Sequence, residues 1–186
     1  MLLYINACVR KDSRTNRLAE ALLNKLDEDY FEVDVAEIKF PVVDEDFLLK
    51  RDRLEEECAW DDPLFGLARQ FADADTIVIA APYWDLSFPA CLKQYFEQIN
   101  VLGITFEYSP EGYPIPLCNA KRLYYVTTAG GSFVPEEFGF GYVKALAEGF
   151  YGIKDVRMIR AVNLDVDGAD VEKIMAEAIS GLNEVI

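Results

Sequence analysis

Residues 76–89 read TIVIAAPYWDLSFP. The first five residues form a nearly continuous apolar run, which is typical of a strand that is buried on both faces of a parallel sheet. A short loop with two large aromatic side chains, Tyr83 and Trp84, follows directly. Pro89 then marks the start of a helix, because proline favours the first helical turn. In open parallel sheets, ligands bind at loops of this kind, outside the carboxyl ends of the strands.

The rest of the chain continues this alternation of strand and helix. Apolar runs predict strands at 2–7, 31–35, 76–80, 123–126 and 156–162, and helical spacing predicts helices at 16–26, 46–58, 64–74, 88–99, 141–151 and 169–185. Residues 103–118 contain two glycines and three prolines and are expected to form a loop or a small hairpin. We predict one α/β domain over residues 1–186. Its doubly wound sheet would have five parallel strands in the flavodoxin-like order 2-1-3-4-5, with helices on both faces.

Composition excludes several classes of partner and chemistry. The formal net charge of −15 argues against nucleic acid and anionic membranes as partners. The chain has no histidine, which removes Ser-His-Asp and Cys-His catalysis and imidazole metal ligation. No apolar run approaches the roughly 20 residues of a membrane span. The first residues, MLLYIN, are expected to be a strand and not a signal peptide.

The four cysteines are widely scattered and form no CxxC pair. Neither a zinc site nor a thioredoxin-like motif is therefore indicated, and no metal is expected. Free thiols in a reducing cytoplasm are the simplest interpretation of this pattern.

The loop after the first strand is a candidate phosphate site. Residues 7–17, ACVRKDSRTNR, carry four basic residues and one acid in a strongly acidic protein. Ser13 and Thr15 are placed to cap the following helix, whose N-terminus offers N–H groups and a positive dipole end. Arg10 and Arg14 could add charge-assisted hydrogen bonds to the phosphate of a mononucleotide. The alternative is an ordinary capped helix with a solvated basic face.

Two further loops lie at strand ends. Backbone groups near Trp84 could hydrogen-bond the polar edge of a flat ring, although Trp84 and Phe88 could simply pack against the protein. Residues 127–133, TTAGGSF, contain adjacent glycines that could approach a ligand and adopt positive φ, although a tight turn explains them equally. In the predicted order, all three loops meet at the switch point of the sheet.

Residues 165–170, DVDGAD, fail the spacing of a calcium loop. They are expected to form a strand-to-helix turn, with Asp170 near the start of the helix.

Three motifs carry a resemblance that covers essentially the whole chain. They are SRTNRL at 13–18, APYWDLSFPACLK at 81–93 and TAGG at 128–131. In these motifs the chain resembles the flavodoxin-like NAD(P)H:quinone oxidoreductases and the FMN-dependent NADH-azoreductases. The resemblance implies FMN as the cofactor, FAD being the weaker option, and NAD(P)H as a co-substrate.

The resemblance also assigns residues to the cofactor. It implies Arg10, Ser13, Arg14 and Thr15 at the phosphate, Pro82, Tyr83, Trp84, Asp85 and Leu86 at the isoalloxazine, and Thr128, Ala129, Gly130 and Gly131 at its pyrimidine side. Azoreductases usually carry Asn where Asp85 stands, and often a basic or bulkier residue where Ala129 stands. A carboxylate beside an anionic reduced flavin is unfavourable unless it points away or is protonated. The backbone of Asp85 could still serve.

The implied function is hydride transfer from NAD(P)H through the flavin to small quinone-like or azo-like acceptors, by a homodimer with its active site at the interface. Tyr83, Trp84 and Phe133 would form the shelf for the acceptor, and no catalytic side chain is obligatory because the flavin carries the redox chemistry. Two alternatives remain open. One is a flavodoxin-type electron carrier, and the other is a flavin-free interaction or sensory protein on the same fold.

Overall fold

The computed structural model describes all residues from Met1 to Ile186. The strands are β1 Leu2–Asn6, β2 Tyr30–Asp34, β3 Thr76–Ala80, β4 Phe106–Tyr108, β5 Pro114–Pro116, β6 Arg122–Thr128 and β7 Asp155–Ala161. Five of them form a parallel sheet, in the order β2-β1-β3-β6-β7. The short strands β4 and β5 form a separate antiparallel hairpin within the region expected to be a loop or hairpin. The predicted order 2-1-3-4-5 of the main sheet is therefore confirmed.

Helices follow the strands as the periodicity indicated. They are α1 Arg14–Leu26, α2 Glu45–Glu56, α3 Gly66–Asp73, α4 Ala90–Ile99, α5 Phe140–Gly149, α6 Val171–Ser180 and α7 Leu182–Val185, with a 3₁₀ turn at Pro63–Phe65 before α3. The prediction of one helix over 169–185 is wrong. The helix begins later, at Val171, and is interrupted at Gly181, a residue type with low helix propensity. None of these helices has both the length and the apolar character needed to cross a bilayer.

Two apolar layers cover the faces of the sheet. Leu3 and Ile5 of β1 belong to the layer that packs against α3, α4 and α5. Leu2 and Tyr4 of the same strand belong to the layer that packs against α1 and α6. Because successive side chains of a strand point to opposite faces, a strand with helices on both sides must be apolar throughout. This requirement explains the continuous apolar run of β3.

The register of the sheet brings the loops after β1, β3 and β6 to one edge. Asn6 of β1 pairs with Ala80 of β3, which in turn pairs with Val126 of β6. The hydrogen bonding continues past the strand ends, where Tyr83 N donates to Thr128 O at 3.0 Å. The three loops predicted to meet at the switch point therefore begin side by side.

Candidate functional site

A cleft of about 320 Å³ lies where these loops meet. Ten of the predicted site residues line it: Arg10, Ser13, Arg14, Thr15, Pro82, Tyr83, Trp84, Thr128, Ala129 and Gly130. Four others are not in its lining, namely Asp85, Leu86, Gly131 and Phe133. Three lining residues were not predicted: Asp12, Leu164 and Asp165.

A larger, mainly apolar cavity of about 580 Å³ lies elsewhere, and its lining includes Ile38, Phe40, Leu67 and Gln98. It contains none of the predicted site residues. The switch-point cleft is the candidate site because it combines polar donors with aromatic side chains at the carboxyl ends of parallel strands.

The N-terminus of α1 forms one end of the cleft. Ser13 is its N-cap and accepts a hydrogen bond from Asn16 N at 3.2 Å, while Arg17 N donates to Ser13 O at 3.0 Å. The N–H groups of Arg14 and Thr15 have no partner within the protein. These are the donors that a helix N-terminus offers to an anion.

The side chain of Thr15 binds Thr128 and does not cap α1. Thr15 was expected to share the capping of α1 with Ser13, and this is wrong. It lies inside the first turn, and its Oγ1 is 2.6 Å from the Oγ1 of Thr128 in a buried hydrogen bond. The bond connects the start of α1 to the end of β6, so it fixes the position of the free N–H groups relative to the neighbouring loop.

Two of the four basic residues in this loop are held by acidic partners. Arg14 donates from Nη2 to Asp165 Oδ1 at 2.7 Å and from Nη1 to Leu164 O at 2.9 Å. Arg17 makes two bonds to the carboxylate of Glu172, at 2.8 and 2.6 Å. Hydrogen bonding in this pair raises the pKa of Arg17 and lowers the pKa of Glu172. The loop therefore presents less free positive charge than its sequence suggests.

The aromatic loop is a tight turn of the type I′ kind. Trp84 N donates to Ser87 O at 3.0 Å and Ser87 N donates to Trp84 O at 2.8 Å. Between them, Asp85 and Leu86 have φ values of 50° and 67°. Such turns require positive φ at both central positions, and this costs a non-glycine residue roughly 1–2 kcal/mol. The turn leaves the N–H groups of Asp85 and Leu86 without partners in the protein, and the Asp85 side chain is exposed.

Side-chain bonds hold this turn in place. Ser87 Oγ donates to Phe138 O at 2.6 Å, and the Tyr83 hydroxyl donates to Pro135 O at 3.3 Å. Both acceptors belong to the segment between β6 and α5. Desolvation, with a smaller contribution from Glu137, raises the pKa of Tyr83.

The glycine pair after β6 does not have the backbone conformation that was expected. Neither Gly130 nor Gly131 has positive φ, so that part of the expectation is wrong. Gly130 allows a close approach instead, because a Cβ there would overlap Asp165 Oδ2 and lie 3.1 Å from the Asp165 Cβ. The backbone is bound at the same place, where Asp165 N donates to Gly130 O at 2.9 Å. A Cβ on Gly131 would meet nothing within 4 Å.

A family model described as "Flavodoxin-like fold" matches residues 1–186. The chain belongs to this family. The FMN-dependent NADH:quinone oxidoreductase of Clostridium perfringens is 36% identical to it over 187 residues, which cover 96% of this chain and 93% of that protein. An enzyme of the same description from Lachnoclostridium phytofermentans is 36% identical over 185 residues, which cover 95% and 92%. The resemblance stated from the motifs is thereby confirmed.

Solved structures also share the fold of this chain. The azoreductase of Bacillus anthracis str. Sterne superposes with a TM-score of 0.82 at 25% identity, covering 99% of this chain and 97% of that one. An FMN-dependent NADH-azoreductase of Bacillus anthracis str. Ames Ancestor, solved in complex with FMN, gives 0.80 at 22% identity, with coverage of 98% and 95%. Because the identity to this second structure is only 22%, the comparison with it shows a shared fold and nothing more.

In this member of the flavodoxin-like family, the loop after β7 forms a fourth wall of the cleft that the sequence did not reveal. Its predicted turn is present, and Asp170 caps α6 by accepting from Lys173 N at 3.0 Å. Leu164 and Asp165, at the start of the turn, reach the cleft and bind Arg14. One signal could have indicated them, since this loop also follows a strand at the carboxyl edge of the sheet.

Proposed function

We propose that the chain is an FMN-dependent oxidoreductase that uses NAD(P)H to reduce small quinone-like or azo-like acceptors. The observation that carries the proposal is the cleft itself. Free N–H groups at the start of α1 form one end of it, and an aromatic turn forms another wall at the switch point. The curated relatives named as FMN-dependent NADH:quinone oxidoreductases support the choice of cofactor and acceptor.

The donor set at the first end fits a phosphate. The N–H groups of Arg14 and Thr15 are unpartnered, and Arg10 lines the cleft without an ion-pair partner. A helix N-terminus with a nearby arginine binds phosphate through hydrogen bonds and charge together. We assign Arg10, Ser13, Arg14 and Thr15 to this end, with Ser13 acting as the cap that shapes it.

The walls of the cleft fit a flat ring. Pro82, Tyr83 and Trp84 would face the ring. Asp85 and Leu86 follow them in the same turn, and their unpartnered N–H groups would reach the polar edge of the ring. We place the pyrimidine side of the ring against the loop that contains Thr128, Ala129, Gly130 and Gly131. The bound flavin would supply the capacity to take hydride from NAD(P)H and to reduce an acceptor.

The protein's own contribution is to bind and orient. Trp84, Leu86 and Phe133 expose 38%, 43% and 77% of their surface, and together with Tyr83 they would offer an apolar shelf to a nicotinamide or an acceptor. With no histidine in the chain, no imidazole serves as a general base. Protons would be supplied by water.

We further propose that the chain acts as a single domain, as a homodimer and in the cytoplasm. Exposed apolar side chains in the segment between β6 and α5, including Phe133 and Phe138, support a second copy as the cover of this surface. All four cysteines are unpaired thiols, which suits a reducing compartment. Light scattering on the eluting protein would test the dimer, and a monomer at all concentrations would contradict it.

The decisive experiment is to add FMN to the purified protein and record its visible spectrum. Bound FMN, followed by steady oxidation of NADH or NADPH in the presence of a quinone, is the expected result. A protein that binds FMN without steady NAD(P)H oxidation would be an electron carrier. If the protein binds no flavin, the oxidoreductase and electron-carrier hypotheses are both refuted. The hypothesis of a flavin-free interaction or sensory protein then remains.

A variant pair tests the phosphate assignment. Arg10→Ala combined with Ser13→Ala should weaken FMN binding, because it removes a cation and the cap that orders the free N–H groups. Lys11→Ala is the charge control, since Lys11 is a cation of the same loop but does not line the cleft; it should weaken FMN binding less than the double variant. Unchanged affinity in the double variant would place the phosphate elsewhere.

A further inference from the structure

The charged residues that line the cleft cancel one another. Arg10 and Arg14 are balanced by Asp12 and Asp165, so the lining has no net charge. A phosphate monoester carries about −1.5 to −2 charges near pH 7. If the cleft holds FMN, as proposed above, that phosphate meets a site with two cations and two competing carboxylates.

Asp165 is the carboxylate that is built into the wall of the site. Its Oδ1 accepts from Arg14 Nη2 at 2.7 Å, and its backbone N donates to Gly130 O at 2.9 Å. Its Oδ2 occupies the space that a side chain on residue 130 would need. The turn is thus fixed against the glycine loop, and its carboxylate is bound to Arg14, the first residue of α1.

Arg14 does not need this carboxylate to stay in place. Its Nη1 already donates to Leu164 O at 2.9 Å, a neutral acceptor that orients the guanidinium without reducing its charge. What Asp165 adds is a negative charge, and like charges at a shared site oppose each other. The side chains of Arg14 and Asp165 are 33% and 65% exposed, so salt can screen this effect.

We propose that Asp165 competes with the phosphate of FMN for Arg14 and thereby weakens cofactor binding. Asp165 is not a catalytic residue, because its effect is exerted through Arg14. The inference rests on the proposed function and adds to it a determinant of cofactor affinity that none of the three motifs contains.

The test is Asp165→Asn, which keeps the shape of the side chain and an oxygen for Arg14 but removes the charge. FMN and riboflavin are titrated separately into flavin-free protein, and binding is followed by flavin fluorescence. We expect the Kd for FMN to fall roughly three- to tenfold at low salt, the scale of one partly screened charge interaction. The Kd for riboflavin, which lacks the phosphate, should not change, and the gain for FMN should shrink at ~0.5 M salt.

Asp167→Asn is the matched control, because Asp167 is an exposed acid in the same turn and does not line the cleft. It makes the same change in net charge and should leave the Kd for FMN unchanged. If Asp165→Asn does not fold, Asp165→Ser makes the same test with a smaller side chain.

Several results would overturn the proposal. A higher Kd for FMN in Asp165→Asn would show that the carboxylate positions Arg14 for the phosphate. Equal changes for FMN and riboflavin would show a structural effect on the whole cleft, and no change would show that Asp165 does not affect the phosphate. Wild-type protein that binds neither flavin would instead refute the proposed function itself, together with this inference.

Discussion

Replacing Gly130 by alanine would place a methyl group inside the contact between the β6 loop and the turn after β7. The new Cβ would overlap Asp165 Oδ2 and lie 3.1 Å from both Cβ and Cγ of Asp165. Rotating the carboxylate relieves the overlap with Oδ2. It does not relieve the contact with the Cβ of Asp165, because that atom is fixed to the backbone. The turn itself must therefore shift.

The shift has a cost because backbone hydrogen bonds hold the turn. Leu164 N donates to Ala129 O at 3.2 Å, and Asp165 N donates to Gly130 O at 2.9 Å. Overfilling a packed contact costs roughly 1–3 kcal/mol. Loss of the partly exposed Arg14–Asp165 pair adds at most about 1 kcal/mol, so the steric effect dominates. We expect Gly130→Ala to lower the free energy of unfolding by roughly 1–3 kcal/mol, or the melting temperature by about 2–4 °C for each kcal/mol.

Urea unfolding followed by tryptophan fluorescence measures this loss, and Gly131→Ala is its control. A Cβ on Gly131 meets nothing within 4 Å and its φ is not positive, so we expect a change below about 0.5 kcal/mol. Asp165→Gly in the Gly130→Ala background removes the clashing atoms and should recover part of the loss. Equal effects of the two alanine substitutions would refute the assignment of Gly130 to close approach.

Three other outcomes follow from side-chain contacts. Thr15→Val leaves the buried hydroxyl of Thr128 without a partner and should lower the free energy of unfolding by about 1–3 kcal/mol. The double variant Thr15→Val, Thr128→Val should lose less stability than the sum of the two single variants. Additive losses in urea unfolding would contradict this. Hydrogen bonds from two arginines lower the pKa of Asp155 below its ordinary 3.8, so the stability it contributes is present above about pH 4 and is lost as the pH falls through the lowered pKa. For such partly exposed ion pairs, the stability difference between wild type and Asp155→Asn is at most about 1 kcal/mol. This difference should disappear in acid, and urea unfolding at a series of pH values measures it. Burial raises the pKa of Cys8 to about 11, whereas Cys58 is exposed, so a thiol reagent at pH 8 should label Cys58 first and Cys58→Ser should abolish the fast phase.

The sheet could be predicted because its signals are local. Each buried strand is a short apolar run, and each helix shows its own periodicity. Right-handed crossovers then restrict the possible strand orders to a few. The error at Gly181 has a local reason as well, since a single glycine within an apolar helical pattern does not reveal whether the helix continues.

The site was predictable only as far as strand ends determine it. Arg10, Tyr83 and Thr128 are brought together because their loops follow neighbouring parallel strands. The partner of Arg14 is 151 residues away in the chain, and no spacing rule connects the two positions. The need for a glycine at residue 130 comes from that same distant turn, so the sequence shows the glycine but not its reason.

The turn at Asp85 and Leu86 is where local rules and the structure disagree most. A two-residue turn with positive φ at both positions favours Asn, Asp or Gly; Asp85 obeys this rule, but its neighbour is a leucine at φ 67°. Such strain persists only where surrounding contacts determine the conformation, and here the bonds of Tyr83 and Ser87 to the β6–α5 segment do so. The product of this strain is a pair of free N–H groups beside the cleft. Because strained backbone is concentrated at ligand sites, the position where the local rule fails is itself an argument that the turn faces a ligand.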